Sequence, residues 1–429
     1  MKTRIVSMSL AVVLMVTACA APTSPTEAPT AAPALEASAT APAEPTVAPT
    51  EAPTAAPVVA APGANLRDGC AEAYAPEVDY FPEKSTVTYA AGLSISYHNN
   101  YKIVSVETPF PGGAPIEYVL VQCGTPAPEG YDAAQIVEVP VKRVISLSTT
   151  NLPHLDRLGV IDTLVAVDDA TFVSNTKVLE AVSAGSVAVI GGGPAINVEQ
   201  ALALEPDVVL AYGSGSPDFD SYPKLLESGF KVVFNADWLE NAPLGRAEWG
   251  KFIAAFYNAE ADAEKLFDAT ATNYESLQAL VASVEARPSV LIGTPFQGTW
   301  YLPGGESFGA AFLYDAGATY PWADDASVGS LGLAFEAVFE RAADAEVWLN
   351  LGYVSDLKGL SDQDPRFAEF SAFQNGMVWN NDARTSAAGG NDYYETAAAE
   401  PDVVLADLIS ILHPELLPDH TLVYYRKVE

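Results

Sequence analysis

The stretch R-V-I-S-L-S-T-T-N-L-P-H-L-D-R-L-G at residues 143–159 decides the fold. Its first six residues are an apolar run typical of a buried strand, and the leucines at 152, 155 and 158 then share one side of a helix. Further strands are predicted at 163–168, 187–190, 206–212 and 231–236, with helices between them. Buried strands that alternate with helices predict a parallel sheet covered on both faces.

A second α/β unit follows a long helical stretch. Apolar residues recur at steps of three and four through 259–287, which predicts a helix of roughly 40 Å that bridges two lobes. Strands are then predicted at 289–295, 346–351 and 377–381, followed by a final helix and a last strand. The heptapeptide E-P-D-V-V-L-A occurs at both 205–211 and 400–406, which fits either duplicated lobes or two copies of a common helix-turn-strand arrangement. The predicted fold class is α/β, with two doubly wound lobes.

The start of the chain resembles a bacterial lipoprotein signal. Residues 1–18 place Lys2 and Arg4 before a short, mostly apolar segment that is too short to span a bilayer. V-T-A-C then resembles a lipobox, in which Cys19 becomes the lipidated N-terminus, although ordinary cleavage beside a chance cysteine is the alternative. Residues 19–64, rich in Ala, Pro, Thr and Glu, predict a disordered, extended tether. We therefore expect an exported protein, attached to the membrane only by lipid and facing the periplasm or the exterior.

Residues 65–140 predict a small β-rich module before the lobes, with strands at 93–97, 101–107 and 117–122. Cys70 and Cys123 are the cysteines that remain after Cys19, and such a pair in an exported chain is more often a disulfide than a reactive site. The remaining predicted segments are the first lobe at 141–245, the linking helices at 246–287 and the second lobe at 288–429.

Composition excludes several classes of function. The chain has 21 basic and 55 acidic residues, a formal net charge of -34, so it is a poor ligand for nucleic acid and for anionic lipid. Three cysteines and four scattered histidines leave little material for a metal site. The sequence also has no G-x-S-x-G, G-x-x-x-x-G-K-[ST] or H-E-x-x-H motif, and we expect no cofactor.

Aromatic and arginine side chains near strand ends are the candidates for a binding site. Ligands of doubly wound sheets lie at the carboxyl ends of the strands, where facing aromatic rings would clamp a flat or apolar ligand. Packing in the core is the alternative for each tryptophan, and it is favoured least for Trp238 and Trp300. The arginines could pair with an anionic ligand or with nearby carboxylates. The candidate ligand contacts are Ser148, Thr149, Trp238, Arg246, Trp300, Tyr301, Trp322 and Arg384.

Residues 143–159 together with I-N-V-E-Q-A-L-A-L-E-P-D-V-V-L-A at 196–211 resemble the helical-backbone class of substrate-binding proteins of ABC importers. P-L-G-R-A-E-W at 243–249, F-E-A-V-F-E-R-A-A-D-A-E-V-W-L at 335–349 and the ending at 413–426 look like a bacterial subgroup of that class. The resemblance covers residues 141–429. It implies two lobes bridged by one long helix, limited hinge motion, a cleft between the lobes, and transport without catalysis.

The resemblance also implies the ligand and the partners. An iron(III)–siderophore is the first expectation and cobalamin the second, while few Met and His argue against axial ligation of haem. The implied partners are a permease dimer and its ATPase, with the binding protein itself a monomer. Glu199 and Glu336 have the positions of docking glutamates, although an acid early in a helix is also favoured by the helix dipole. The class commonly lacks a module like 65–140, so no role for it carries over. A surface-anchored enzyme or adhesin built on the same lobes is the alternative of a different class.

Overall fold

The N-terminal module contains the three predicted strands and one more. A computed structural model describes residues 60–429, so the predictions on the export signal, on Cys19 and on nearly all of the tether lie outside the described residues. The strands of the module are β1 Leu93–Tyr97, β2 Tyr101–Val106, β3 Ile116–Gln122 and β4 Ile136–Val139. The first three strands are antiparallel neighbours, and β4 pairs in parallel with β3. A disulfide joins Cys70 to Cys123, as the sequence predicts.

The first lobe contains the predicted parallel sheet. Its strands lie in the order β7-β6-β5-β8-β9, so the order reverses between β5 and β8. Asn197 accepts a hydrogen bond from the Gln200 backbone N at 3.0 Å, which caps the start of the helix at Val198–Ala203. The strands are β5 Val144–Ser146, β6 Leu164–Val167, β7 Ala188–Val189, β8 Val208–Ala211 and β9 Val232–Phe234, and the helices are α1 Leu152–Arg157, α2 Thr176–Ala184, α3 Val198–Ala203 and α4 Tyr222–Glu227.

The linking helices are shorter than the sequence pattern suggests. They are α5 Pro243–Glu248, α6 Gly250–Ala255 and α7 Glu260–Val281. At 22 residues α7 is about 33 Å long. It is shorter than the predicted helix because it ends six residues before the predicted end at residue 287. Ala263 packs in the core of the first lobe and Tyr274 in that of the second, so α7 does bridge the lobes. Among the described helices, none combines the length and the apolar character needed to cross a membrane.

The second lobe has a mixed sheet in the order β10-β14-β15-β16, in which only the last pairing is antiparallel. Strands β11, β12 and β13 come between β10 and β14 in the sequence and form a separate antiparallel sheet. This sheet was not predicted from the sequence. The strands are β10 Val290–Ile292, β11 Pro295–Phe296, β12 Thr299–Pro303, β13 Ser330–Leu333, β14 Val347–Leu349, β15 Val378–Asn380 and β16 Arg426–Lys427. The helices are α8 Phe308–Asp315, α9 Phe335–Ala342, α10 Leu357–Gln363, α11 Ser371–Gln374 and α12 Pro401–Leu412.

The two copies of E-P-D-V-V-L-A fold differently. The copy at 205–211 contributes strand β8, whereas the copy at 400–406 begins helix α12 with Pro401 in its first turn. The interpretation as two copies of a helix-turn-strand arrangement is therefore wrong, and the repeat gives no structural support to duplicated lobes. Secondary-structure propensity is weak, and here the surrounding packing decides between strand and helix.

The module and the first lobe share one hydrophobic core. Phe81, Val104 and Leu120 of the module lie in the same buried cluster as Val144 of β5 and Phe252 of α6. This shared cluster is where the apolar side chains of the module are buried. The module is thus part of the folding unit of the first lobe.

Candidate ligand-binding site

One cavity of about 570 Å³ is bordered by both lobes and by the module. It follows the carboxyl end of β9 on one side and those of β10 and β14 on the other. Its volume is within the range of roughly 300–1,000 Å³ that is usual for small-molecule sites. The lining residues are Pro111, Trp238, Leu239, Glu240, Asn241, Ile292, Pro303, Ser307, Phe308, Gly309, Phe312, Leu313, Val328, Gly329, Ser330, Leu349, Asn350, Tyr393, Tyr394, Leu408 and Tyr425.

Trp238 is the predicted aromatic residue that lies on this cavity. It belongs to a 3-10 helix, Asp237–Leu239, directly after β9, and 41% of it is exposed. Phe308 of α8 and Tyr394 add aromatic wall from the second lobe. A ring on each lobe with a cavity between them can hold a flat or apolar ligand by stacking and by burial of its surface.

Polar groups at the second-lobe side of the cavity were not predicted. Asn350 directly follows β14 with a φ of 59°, a left-handed conformation that asparagine tolerates. Within the described residues its buried side-chain oxygen has no hydrogen-bond partner. Burial raises the pKa of Tyr393 to about 12 and that of Tyr425 well above its ordinary value, so both phenols are neutral near pH 7. Asn350, Tyr393 and Tyr425 therefore form a neutral polar patch at this side of the cavity.

Asn350 had a usable signal in the sequence, because it is a polar residue immediately after a buried strand in V-W-L-N-L. Tyr393 and Tyr394 had none, since they lie in a short 3-10 helix, Asp392–Tyr394, that only the tertiary fold brings to the cavity.

Arg246 lies beside the cavity and is already paired. Its Nε is 3.4 Å from Oδ2 of the buried Asp237, and its guanidinium is 5.1 Å from the centre of the Phe308 ring. It lines a smaller neighbouring pocket of about 90 Å³ together with Tyr393 and Tyr394. The structure thus favours pairing of Arg246 with a nearby carboxylate over pairing with an anionic ligand. Through its contact with Phe308, Arg246 also connects the linking helices to the second lobe.

Trp300 and Trp322 are buried and do not line the cavity, so the structure favours the core-packing alternative for both. Trp300 is fully buried, donates from Nε1 to the Ile292 carbonyl at 2.9 Å, and packs 5.9 Å from the ring of Trp348. Trp322 is 4% exposed. Successive residues of a strand point to opposite faces, so Tyr301 is exposed where Trp300 is buried. Tyr301 is not among the residues that line the cavity.

The other predicted contacts also lie away from the cavity lining. Arg384 pairs with Asp392 at 2.9 Å and lies 5.6 Å from the Tyr424 ring. Ser148 and Thr149 follow β5 at the point where the strand order of the first lobe reverses, which is a usual ligand position, but they do not line this cavity. The Ser148 hydroxyl is 3.0 Å from that of Thr150.

Glu199 and Glu336 are both exposed, each in the first turn of its helix. Oε1 of Glu336 lies 3.1 Å from Nη1 of Arg366, in an ion pair that is itself exposed. The structure therefore leaves both carboxylates accessible to a partner, and their docking role stays a prediction.

The charge of the lining is small. Of the described residues that line the cavity none is Lys, Arg or His. Glu240 supplies a carboxylate, but it already accepts hydrogen bonds from the backbone N of Ala91 and of Gly92 and from Nε1 of Trp249. The described residues also contain no group of three or more His, Cys, Asp or Glu side chains placed to hold a metal ion. This lining suits a neutral ligand better than a strongly charged one.

The comparisons with known proteins place the chain in a family. Residues 144–385 match the model of the periplasmic binding protein family, and the chain belongs to that family. This confirms the resemblance to solute-binding proteins of ABC transporters. An uncharacterized lipoprotein of Methanocaldococcus jannaschii is 26% identical over 304 residues, which cover 66% of this chain and 68% of the relative.

Two solved structures share the fold. The molybdate periplasmic binding protein of a Haemophilus influenzae ABC transporter is 19% identical, with a TM-score of 0.51, covering 67% of this chain and 90% of its own. A possible iron-binding, periplasmic solute-binding protein of Staphylococcus epidermidis is 20% identical, with a TM-score of 0.50, covering 63% of this chain and 98% of its own. At this identity the likeness shows the fold alone.

Proposed function

We propose that this protein captures an iron(III)–siderophore complex in the cavity between its lobes and delivers it to an ABC permease. The observation that supports this most is the lining itself, which is largely apolar and aromatic and contains neutral polar groups, with Trp238 on one lobe and Asn350 on the other. Such a lining matches the organic shell of a metal chelate, which hides the charge of the ion. The net charge of -34 also favours neutral over anionic chelates, because it repels anions in solution.

Cobalamin and haem are the alternatives within the same class. Cobalamin is the larger ligand and would leave more of itself outside a cavity of about 570 Å³. Haem has one specific observation in its favour, since Tyr394 is 59% exposed at the cavity and a tyrosine oxygen can coordinate haem iron.

The proposed location is the outer face of the cell membrane, with Cys19 carrying the lipid. Support comes from the V-T-A-C motif, from the tether composition of residues 19–64, and from a relative that is named a lipoprotein. The proposed partners are a permease dimer and its ATPase. In this arrangement the protein acts as a monomer that carries ligand to the permease.

A direct test of the site is the substitution Trp238→Ala. We expect the affinity for ferrichrome, a neutral ferric siderophore, to fall about tenfold, which corresponds to about 1.4 kcal/mol of lost contact. Tyr301→Ala is the matched control, because Tyr301 is an exposed aromatic residue that does not line the cavity. Equilibrium dialysis against ferrichrome, cyanocobalamin and haemin measures both variants. Binding of none of the three by the unaltered protein would reject the ligand class, and equal effects of the two substitutions would reject the site.

The same dialysis separates binding from the enzyme alternative. A binding protein returns its ligand chemically unchanged, whereas an enzyme converts it, so mass spectrometry of the recovered ligand decides between the two.

Docking to a permease is tested by replacing Glu199 and Glu336 together with alanine. We expect cellular uptake to fall at least tenfold, since truncating a buried interfacial ion pair typically costs about 2–5 kcal/mol, while the ligand Kd stays within twofold. Glu227→Ala with Glu340→Ala is the control, because both of these glutamates are exposed and lie on helices of the two lobes. Normal uptake by the first double variant would leave Glu199 and Glu336 as ordinary helix-terminal acids.

A further inference from the structure

The module reaches the ligand cavity through the turn between β2 and β3. We call residues 109–113, P-F-P-G-G, the cleft loop. Pro111 lies at its middle and lines the same cavity as Trp238 and Phe308. A segment with no known role thus contributes wall to the candidate binding site.

The cleft loop is seated on the first lobe by close contacts. The ring of Phe110 stacks on Tyr222 at 5.1 Å between centroids and meets Phe234 edge-on at 5.5 Å. Beneath it lie Gly213 and Gly215, just after β8. A Cβ atom on Gly213 would lie 2.9 Å from the Phe110 ring, and one on Gly215 would lie 2.6 Å from the carbonyl oxygen of Pro111. The loop therefore fits a space that exists only because both of these residues are glycines.

Glycines 213 and 215 belong to G-S-G-S-P, which the sequence alone leaves undecided between a ligand-facing turn and a plain loop. In the structure the turn faces the cleft loop, so the contact between these two segments accounts for both glycines. Gly215 has a φ of 77°, which a residue with a side chain adopts only with strain.

Buried and half-buried hydrogen bonds hold the module on either side of the loop. The hydroxyl of Tyr118, on β3, accepts a hydrogen bond from the backbone N of Phe234 at 2.9 Å. Glu240, itself on the cavity, accepts from the backbone N of Gly92 at 2.9 Å. Glu248 accepts from the backbone N of Tyr89 and of Ala90. Hydrogen bonds therefore tie the residues around the cleft loop to the first lobe and to α5.

We propose that the module completes the ligand site and that Pro111 limits the size of ligand that the cavity accepts. The inference rests on the proposed function, since it assumes that the cavity is where ligand binds. It gives residues 65–140 a function in specificity: the two lobes of the family supply the cleft, and the added module narrows it with an apolar surface.

The test substitutes Pro111→Trp, which places a large ring where the cavity is bordered by proline. Pro126→Trp is the matched control, since Pro126 is an exposed proline in the turn between β3 and β4, at the other end of β3, and does not line the cavity. We expect Pro111→Trp to weaken binding of ferrichrome at least tenfold in equilibrium dialysis, and Pro126→Trp to change it less than twofold. Pro111→Gly, which removes the side chain and introduces no clash, should weaken ferrichrome binding about threefold and favour cyanocobalamin relative to ferrichrome.

A second probe separates this inference from the proposed function. Anilinonaphthalene sulfonate binds apolar cavities whatever their natural ligand, so the same three variants are titrated with it. If the unaltered protein binds this dye but none of ferrichrome, cyanocobalamin and haemin, the proposed function fails while the dye still tests the wall. Equal affinity of Pro111→Trp and Pro126→Trp for every probe that binds would overturn the inference. A protein that binds no probe at all would overturn both.

Discussion

Replacing Lys102 with methionine is expected to lower the free energy of unfolding by about 3–5 kcal/mol, the usual result of removing one partner from a buried ion pair. Lys102 lies on β2 of the module, and Glu260 is the first residue of α7. Both side chains are fully buried. The Lys102 ammonium donates to Oε1 of Glu260, to Oδ1 of Asn258 at 2.9 Å and to the Ala255 carbonyl at 2.6 Å.

The electrostatics explain why this one substitution should be so costly. Burial lowers the pKa of Lys102, and the adjacent Glu260 carboxylate opposes that effect. Without the ammonium, Glu260 would keep the hydrogen bond from Asn65 at 2.8 Å but would lose its counter-charge in a site closed to water. The carboxylate must then be protonated or the local structure must open, and either outcome costs free energy.

Urea unfolding followed by circular dichroism measures the effect. Lys358→Met is the control, because Lys358 forms an exposed pair with Asp362 four residues along α10 and should contribute no more than about 0.5 kcal/mol. The double variant Lys102→Met with Glu260→Gln should lose less stability than the two single variants summed. A loss for Lys102→Met as small as that of Lys358→Met would show that the module is not coupled to α7 through this pair.

Loss of the Cys70–Cys123 disulfide should cost about 4 kcal/mol, because the bond closes a loop of 53 residues and restricts the unfolded chain. The loop contains all of β1, β2 and β3, so an open loop frees three of the module's four strands in the unfolded state. Cys70→Ser, Cys123→Ser and the double variant are compared with the oxidised protein by urea unfolding.

The three serine variants should be equally unstable, since each removes the same bond. A reductant should destabilise the unaltered protein and leave the double variant unchanged. If instead Cys70 or Cys123 is alkylated in the native, unreduced protein, the two thiols are free and the predicted stability difference has no basis.

The parallel strands of both lobes could be predicted because their information is local. Apolar runs such as R-V-I-S-L-S and K-V-V-F-N-A are bounded by polar segments and leave little choice but a buried strand. The same holds for α7, where apolar residues recur at helical spacing. Its end was misplaced by six residues because the apolar pattern continues beyond the helix: α7 ends at Val281, yet Val284 still packs against the core of the second lobe.

The site could be predicted only in part because its geometry is not local. Trp238 was identified since it follows a strand of the first lobe, where ligands usually bind. Trp300 was selected by a similar rule. Because successive residues of β12 point to opposite faces of the sheet, however, Trp300 points into the core and Tyr301 is exposed. Pro111 could not be found, as nothing in P-F-P-G-G indicates that the turn meets Gly213, about one hundred residues away.

The continuous core of the module and first lobe also decides where the protein can be shortened. The family match begins at residue 144, and a chain trimmed to that boundary would lose Phe81, Val104 and Leu120 from the core. It would also remove the backbone donors of Glu240 and Glu248, which would keep only Trp249 Nε1 and Lys251 Nζ, respectively, as partners. Such a fragment would expose the kind of patch through which proteins aggregate. For this chain, the boundary of the homologous region is not the boundary of a soluble recombinant product.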